Sequence, residues 1–260
     1  YGVDPLAEKY PSIGGYVYCA GNPVNAVDLN GDSISIAYKS GFLGLGKTKH
    51  LLYEKGKLYN LNGNPYLGKI KGYLALVVEG LRDLRCTSEG AALITELETS
   101  TNMFTIKKGD SNLFKANLTT KAGGNLSEVQ AVTGNTSKSG GSGGIIYWNH
   151  KINTGGLDVN GNIKRPSYIG LGHEMAHASD ANQGLLYYPN DYTNAKGVVY
   201  SASYNGLEKA EWRAVYRENI IRGQAKIALR AYYGYDISSG KPQPIGPKLL
   251  SSQNVPLNYP

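Results

Sequence analysis

His173, Glu174 and His177 are the residues of this chain whose types and spacing best suit chemistry. They stand in Gly172-His173-Glu174-Met175-Ala176-His177-Ala178, an H-E-x-x-H pattern that uses two of the chain's four histidines. On an α-helix, positions i and i+4 put both imidazoles on one face, about one turn apart. Two convergent neutral imidazoles make half of a tetrahedral zinc site. Glu174 points roughly 100° around the helix axis from His173. From there its carboxylate can hydrogen-bond a zinc-bound water without ligating the metal. Zinc lowers the pKa of that water towards ~7. The glutamate can then take the proton and return it to a leaving amine. The chemistry such a trio suits is metal-assisted hydrolysis of a peptide bond.

A catalytic zinc takes three protein ligands and leaves one position open. A metzincin would carry glycine three residues after His177 and a third histidine three residues further on. Asp180 and Gln183 stand there instead, which excludes that class. The third ligand must therefore come from another element. The natural source is a downstream helix expected from Leu207 to about Arg222, which includes Glu208, Glu211 and Glu218. Glu211 and Glu218 are seven apart and share a face. Glu211 precedes Ala214-Val215, which should face the core, so it can point inward and is the first choice. Glu208 is the alternative ligand, and Glu218 suits support of the histidines from behind. His150 and Asp180 are weaker candidates. An oxyanion donor could be Tyr233, Arg230 or Tyr204, and the sequence does not choose among them.

Other elements must hold these residues in place. The H-E-x-x-H helix should run from about Ser167 to Ala181, after the break at Arg165-Pro166, with Gly184 and Pro189 ending it. Ahead of it, Ile145-Ile146-Tyr147-Trp148-Asn149-His150 carries a strong strand signal. A strand so placed is expected to be an edge that receives an extended substrate, with Tyr147, Trp148 and Arg230 as substrate-binding residues. Further upstream, Ser33 to Tyr38 alternates as a half-buried strand. Leu51–Tyr53, Lys57–Tyr59 and Pro65–Leu67 continue a β-rich region. Tyr73, Leu74, Val77, Leu81 and Leu84 form a one-sided helical stripe. A second helix, Ala91 to Leu97, has Ser88 as its expected N-cap. Met103–Ile106 and Leu113-Phe114 read as strands. Residues 134–144 read as a Gly/Ser-rich loop, and residues 185–206 as a Tyr- and Asn-rich cleft wall or lid. Beyond Ser238 the proline-rich tail should be extended.

Gly41 to Thr48 matches G-x-x-x-x-G-K-T literally. A phosphate loop needs a helix starting at its Lys-Thr, and Lys49 to Gly56 is too short and turn-like to supply one. A glycine-rich hairpin is the expectation.

The 260 residues allow one substantial domain with a small appendage, and 41% hydrophobic with 18% charged residues describe an ordinary globular protein. The 34 glycines and 21 tyrosines point to many turns and strands. The net charge of +7 is scattered, without a dense basic block or a nucleic-acid-binding motif, so nucleic acid is not an expected partner. No apolar run approaches the ~18 residues of a membrane span. Cys19 and Cys86 lack metal-type spacing. The N-terminus has neither the basic nor the apolar region of a secretory signal. It opens on Tyr1, which suggests a segment of a longer polypeptide.

Residues 1–31 carry Asp4-Pro5-Leu6-Ala7-Glu8-Lys9-Tyr10-Pro11, Tyr18-Cys19-Ala20-Gly21-Asn22-Pro23-Val24 and Asp28-Leu29-Asn30-Gly31. This text resembles the C-terminal end of the Rhs repeat-associated core, a β-shell around a variable C-terminal toxin. The resemblance implies release by self-cleavage at a D-P-x-G motif. Here Leu29 replaces the family's proline.

From about residue 50 the chain resembles the NleD-like effector family of zinc metallopeptidases. The resemblance rests on Tyr147-Trp148-Asn149, Arg165-Pro166-Ser167, Leu171 to Ala178, Glu211 to Asn219 and Leu229-Arg230-Ala231-Tyr232-Tyr233-Gly234. It implies a secreted protease that cuts proteins of a target cell. Ala231-Tyr232 stands where the family often has Thr-His, which leaves Tyr233 as the candidate catalytic residue of that segment.

The resulting expectation is an α+β, zincin-like metallopeptidase with an active-site H-E-x-x-H helix, a second Glu-bearing helix and a small mixed or antiparallel sheet. Residues 1–33 would be the Rhs remnant and 34–260 the toxin domain. Zinc is the expected cofactor, held by His173, His177 and Glu211, with Glu174 as base. Expected partners are a protein or peptide substrate, an upstream Rhs shell and an immunity protein in the producing cell. The competing expectations are a non-catalytic zinc-binding module, with four closed ligands, and a nuclease-type toxin.

Overall fold

The computed structural model describes residues 34–40, 46–117, 141–186, 191–193 and 196–258. The segment read as an Rhs remnant, including Asp28 and Cys19, lies outside them.

The main sheet is mixed and six-stranded. It contains β1 (Ile34–Lys39), β2 (Thr48–Glu54), β3 (Lys57–Tyr59), β4 (Phe104–Lys108), β5 (Leu113–Ala116) and β6 (Gly144–Trp148). Their order is β3-β2-β1-β4-β6-β5. β1, β4 and β6 run parallel, while β2, β3 and β5 pair antiparallel with their neighbours. β1 was expected to be half-buried, yet its first four residues are all buried. It lies inside the sheet between β2 and β4, where strands lose contact with water on both faces. Pro65–Leu67 forms no strand, only an isolated bridge from Pro65 to Tyr59.

Strand β6 is not the edge expected of it. It lies between β4 and β5, so both its ladders are occupied and it offers no free backbone to a peptide. Among the described residues, the outer strand beside β6 is β5. Alternation along β6 buries Gly144, Ile146 and Trp148. Ile146 and Trp148 face the helical layer, and Tyr147 therefore projects from the opposite face.

Thr48 of the Gly-Lys-Thr segment opens strand β2 rather than a helix. Ser40 N–H donates to the Lys47 carbonyl across the hairpin. The helix N-terminus that a phosphate loop requires is not there.

Among the described residues there are four helices, α1 (Tyr73–Arg85), α2 (Ser88–Glu98), α3 (Ser167–Asn182) and α4 (Lys209–Gln224); α1 packs on β1, and α3 packs on β5 and β6. The stripe on α1 buries Leu74, Val77, Leu81 and Leu84 as its spacing requires. Helix α2 begins three residues earlier than expected. Its cap is Thr87, not Ser88, because the Thr87 hydroxyl accepts the Gly90 N–H at 3.1 Å.

Helix α3 is the axis of the molecule. It contacts α1, α2 and α4 on its helical sides and β5 and β6 on the sheet side. Every residue from Ile169 to Ala181 is buried. Such enclosure demands small residues where neighbours approach. A Cβ on Gly172 would meet Leu84 Cδ2 at 2.9 Å and Ile221 Cδ1 at 3.0 Å. Gly80 of α1 gives similar access to Trp148 and Leu171. Gly172→Val should therefore destabilise the protein by about 1–3 kcal/mol through overpacking. An unchanged urea midpoint for this variant would contradict the tight crossing.

A second, three-stranded antiparallel sheet joins β7 (Leu157–Asp158), β12 (Arg230–Asp236) and β13 (Gln243–Lys248) in the order β13-β12-β7. The proline-rich tail supplies β13, an edge strand, where Pro244 and Pro247 are tolerated. The described residues of the Tyr- and Asn-rich connection form short ribbons. β8 (Tyr192–Thr193) pairs with β9 (Val199–Tyr200), and β10 (Ser203–Tyr204) with β11 (Leu207–Glu208). No described helix is long and apolar enough to cross a membrane.

Candidate active site

Helices α3 and α4 pack against each other and bring their polar residues into one cluster. His173 and His177 lie one turn apart on α3, with ring centroids 5.0 Å apart and planes at 82°. Glu211, in the first turn of α4, faces both. Its Oε2 lies 3.1 Å from His173 Nε2, and its Oε1 lies 3.3 Å from His177 Nε2. The three ligating atoms fall within 4.8 Å of one another, a group that can hold a metal ion. Glu174 is 6% exposed and the two histidines 7%. The Glu211 side chain remains 21% exposed, so the cluster meets solvent on the α4 side.

Glu218 stands two turns along α4, on the face of Glu211. It is wholly buried and accepts from His173 Nδ1 at 2.9 Å, Arg222 Nε at 2.8 Å and Arg230 Nη1 at 3.0 Å. With Nδ1–H donating to Glu218, Nε2 is the nitrogen of His173 that faces Glu211 and that would ligate a metal from a neutral ring. Burial opposes a charged Glu218, but Arg230 and Arg222, with His173, outweigh it and hold the carboxyl well below the usual range.

The electrostatics of the cluster call for positive charge at its centre. Burial opposes protonation of His173, yet hydrogen bonds to Glu211 and Glu218 overcome it and push the imidazole up to about 10. His177 is raised by Glu211 against the same penalty. Glu211 is itself buried against ionisation, and the two histidines reverse this and hold it well below the usual range. Protons on the rings satisfy this demand, and so does a divalent cation bound by neutral rings. Glu174 behaves differently. Burial pushes its carboxyl up, and His173, His177 and the nearby Phe114 backbone of β5 offset this only in part.

Strand β12 reaches the same site because Asn219 of α4 clamps it. Asn219 Nδ2 donates to the Arg230 carbonyl at 3.0 Å, and Arg230 N–H returns a bond to Asn219 Oδ1 at 2.7 Å. Tyr233 follows on that strand, and its hydroxyl comes near enough to Glu211 to feel the carboxylate. Burial and the neighbouring Glu211 raise its hydroxyl, which therefore stays a proton donor at neutral pH.

Several expected site residues are elsewhere. Glu208 is exposed, and its backbone is extended before α4 starts, so it does not share the helical face of Glu211. Trp148 is 2% exposed, and its indole N–H donates to the Ser167 carbonyl, which makes it a support for α3 rather than a substrate contact. Tyr147 lies on the far face of the sheet, beneath Lys107. Arg230 is 7% exposed and committed to Glu218 and to the Tyr233 carbonyl, so it positions the site from inside instead of meeting substrate. Tyr204 is 45% exposed and stacks on Trp212. Asp180 is engaged by Arg213 through bonds of 2.8 and 2.9 Å. His150 packs beside Tyr73 and Trp148 and is not in the metal-competent group. Sequence reasoning missed Arg222, although its i+4 spacing from Glu218 was a readable signal. It also missed Arg165 as more than a helix break.

The fold and site define a mixed α+β protein with two buried histidines and a half-buried glutamate in one group, beside a carboxylate outside it. The model of the Peptidase_M91 family, described as effector protein, matches residues 71–233, more than half of the chain. The chain belongs to that family of peptidase-type effectors. No curated protein and no solved structure gives a match.

Proposed function

We propose that this chain is a zinc-dependent endopeptidase, delivered as an effector into a target cell to cut proteins there. The observation that carries this reading is the convergence of His173, His177 and Glu211, with Glu174 adjacent but outside the ligand set. The donor set, two imidazoles and one carboxylate, suits zinc with one position left open. His173, His177 and Glu211 would hold the zinc, which when bound would supply Lewis acidity and an acidified water. Glu174 accepts the proton of the attacking water at its carboxylate and passes it to the leaving amine. Its depth in the site favours this exchange, since burial brings a carboxyl nearer to neutral pH. Tyr233 donates its hydroxyl hydrogen to the oxyanion that develops. Glu218 fixes the tautomer and rotation of His173. An extended peptide lies along the outer edge of β5, beside Glu174, by strand addition. The arrangement is zincin-like, with the substrate edge on β5 in place of β6.

In the same reading, residues 34–260 form the toxin domain, and residues 1–33 end an Rhs-type shell. The producing cell holds an immunity protein against it. Elemental analysis tests the metal. Wild type and Glu174→Gln should carry about one zinc each, and Glu211→Ala should lose it. Wild type purified without chelator and free of zinc would overturn the proposal.

A further inference from the structure

Arg165 has no place in the chemistry above, yet it is 9% exposed and lies beside it. Its Nε and Nη1 are closed to solvent and find no hydrogen-bond partner among the described residues. No carboxylate among the described residues pairs with it. The acid that acts on it most strongly, Glu218, already serves Arg222, Arg230 and His173. An unpaired buried guanidinium is costly, so its retention calls for a compensating anion.

The surroundings make room for this group. A Cβ on Gly155 would come within 2.1 Å of Arg165 Nε, and one on Gly170 within 2.7 Å of Nη1 and 2.4 Å of Asn112 Nδ2. Gly170 precedes His173, Glu174 and His177 by three, four and seven positions. It therefore lies on the catalytic face of α3, one turn towards the N-terminus. Asn112 immediately precedes β5, the outer strand beside β6. A guanidinium and a carboxamide thus meet above the catalytic face, where the edge strand begins. Arg165 is also within electrostatic reach of Glu174.

We propose that Arg165, with Asn112, forms an anionic subsite that takes an Asp or Glu side chain of the peptide substrate close to the scissile bond. The inference rests on the peptidase reading and names a feature of its substrate. The fork of Arg165 gives a carboxylate two parallel donors, which a lysine cannot. Residues 34–70 lie outside the family match and none of them contributes to the subsite.

Two measurements on the full chain test the assignment. In the first, a proteome-derived peptide mixture is digested by zinc-loaded wild type, Arg165→Gln and Arg165→Lys, and the cleaved sequences are aligned. Wild type should enrich Asp and Glu about tenfold at one fixed position near the cut, as a charge-assisted hydrogen bond implies. Arg165→Gln should lose that enrichment, and Arg165→Lys should keep only part of it. Enrichment unchanged in Arg165→Gln, or absent in wild type, overturns the subsite. In the second, thermal melting is followed with acetate against chloride at constant ionic strength. Acetate should raise the Tm of wild type and of Glu174→Gln, and not that of Arg165→Gln. Equal responses in all three overturn the subsite. Wild type that cuts no peptide sinks the peptidase reading instead, and the acetate response then decides the anion site alone. If Arg165→Gln does not fold, Arg165→Lys carries both comparisons.

Discussion

Glu174→Gln should leave the zinc content and the melting curve close to wild type while lowering the rate of peptide cleavage by about 10³-fold, the scale of general acid–base catalysis. The amide matches the carboxylate in shape and volume. It cannot accept a proton from water or deliver one to an amine. The metal ligands should be undisturbed, because Glu174 is not in the group formed by His173, His177 and Glu211. Cleavage of a proteome-derived peptide mixture, scored by new N-termini per unit time, measures the effect. Activity within tenfold of wild type would remove Glu174 from the role of base. Loss of zinc from the variant would instead assign it to the coordination sphere.

Glu218→Ala should produce the largest loss of stability among the site residues. Glu218 is the one carboxylate shared by Arg222, Arg230 and His173, and it is fully buried. A buried ion pair contributes little net stability compared with an apolar replacement. Removing one partner is different, since the others stay buried without compensation. The cost is about 3–5 kcal/mol for such a break. His173 also loses the acceptor that orients its ring, which should weaken zinc binding by about 10–100-fold. The two effects separate experimentally: urea unfolding with chelator present reads the first, and competition with a zinc indicator reads the second. Glu208→Ala is the matched control. That residue is exposed, and its removal should change stability by no more than about 0.5 kcal/mol. A Glu218→Ala variant that unfolds at the wild-type urea midpoint would contradict the account of the network.

Local patterns carried much of the fold. The H-E-x-x-H helix, the stripe on α1 and the helix bearing Glu211 and Glu218 were legible because i, i+3, i+4 and i+7 spacing survives in any environment that keeps the helix. The strand content of β1, β2 and β6 was legible from β-branched and aromatic runs. Their neighbours were not. Whether β6 is internal or an edge depends on where β5 pairs, and pairing is a contact between segments remote in sequence. Hence β6, expected to be an edge, is internal, and Trp148, an indole suited to gripping a ligand, belongs to the core.

The arginines show the same division. Arg222 was visible as i+4 to Glu218, but nothing local says that both are buried or that Arg230 joins them from β12. Arg165 stood next to a proline and read as punctuation. Its burial arises from Gly155 and Gly170, one in a loop and one on α3, which only the folded chain brings together.

The sequence by itself determined the chemistry on offer: two imidazoles on one helical face, a carboxylate beside them, and further carboxylates a helix away. Helical geometry is local, so its spacing can be read without a fold. The tertiary structure decided which of those carboxylates meets the histidines from the front, which supports them from behind and which stays in solvent. Those choices depend on how α3 and α4 cross and on where α4 begins, both set by packing between distant segments.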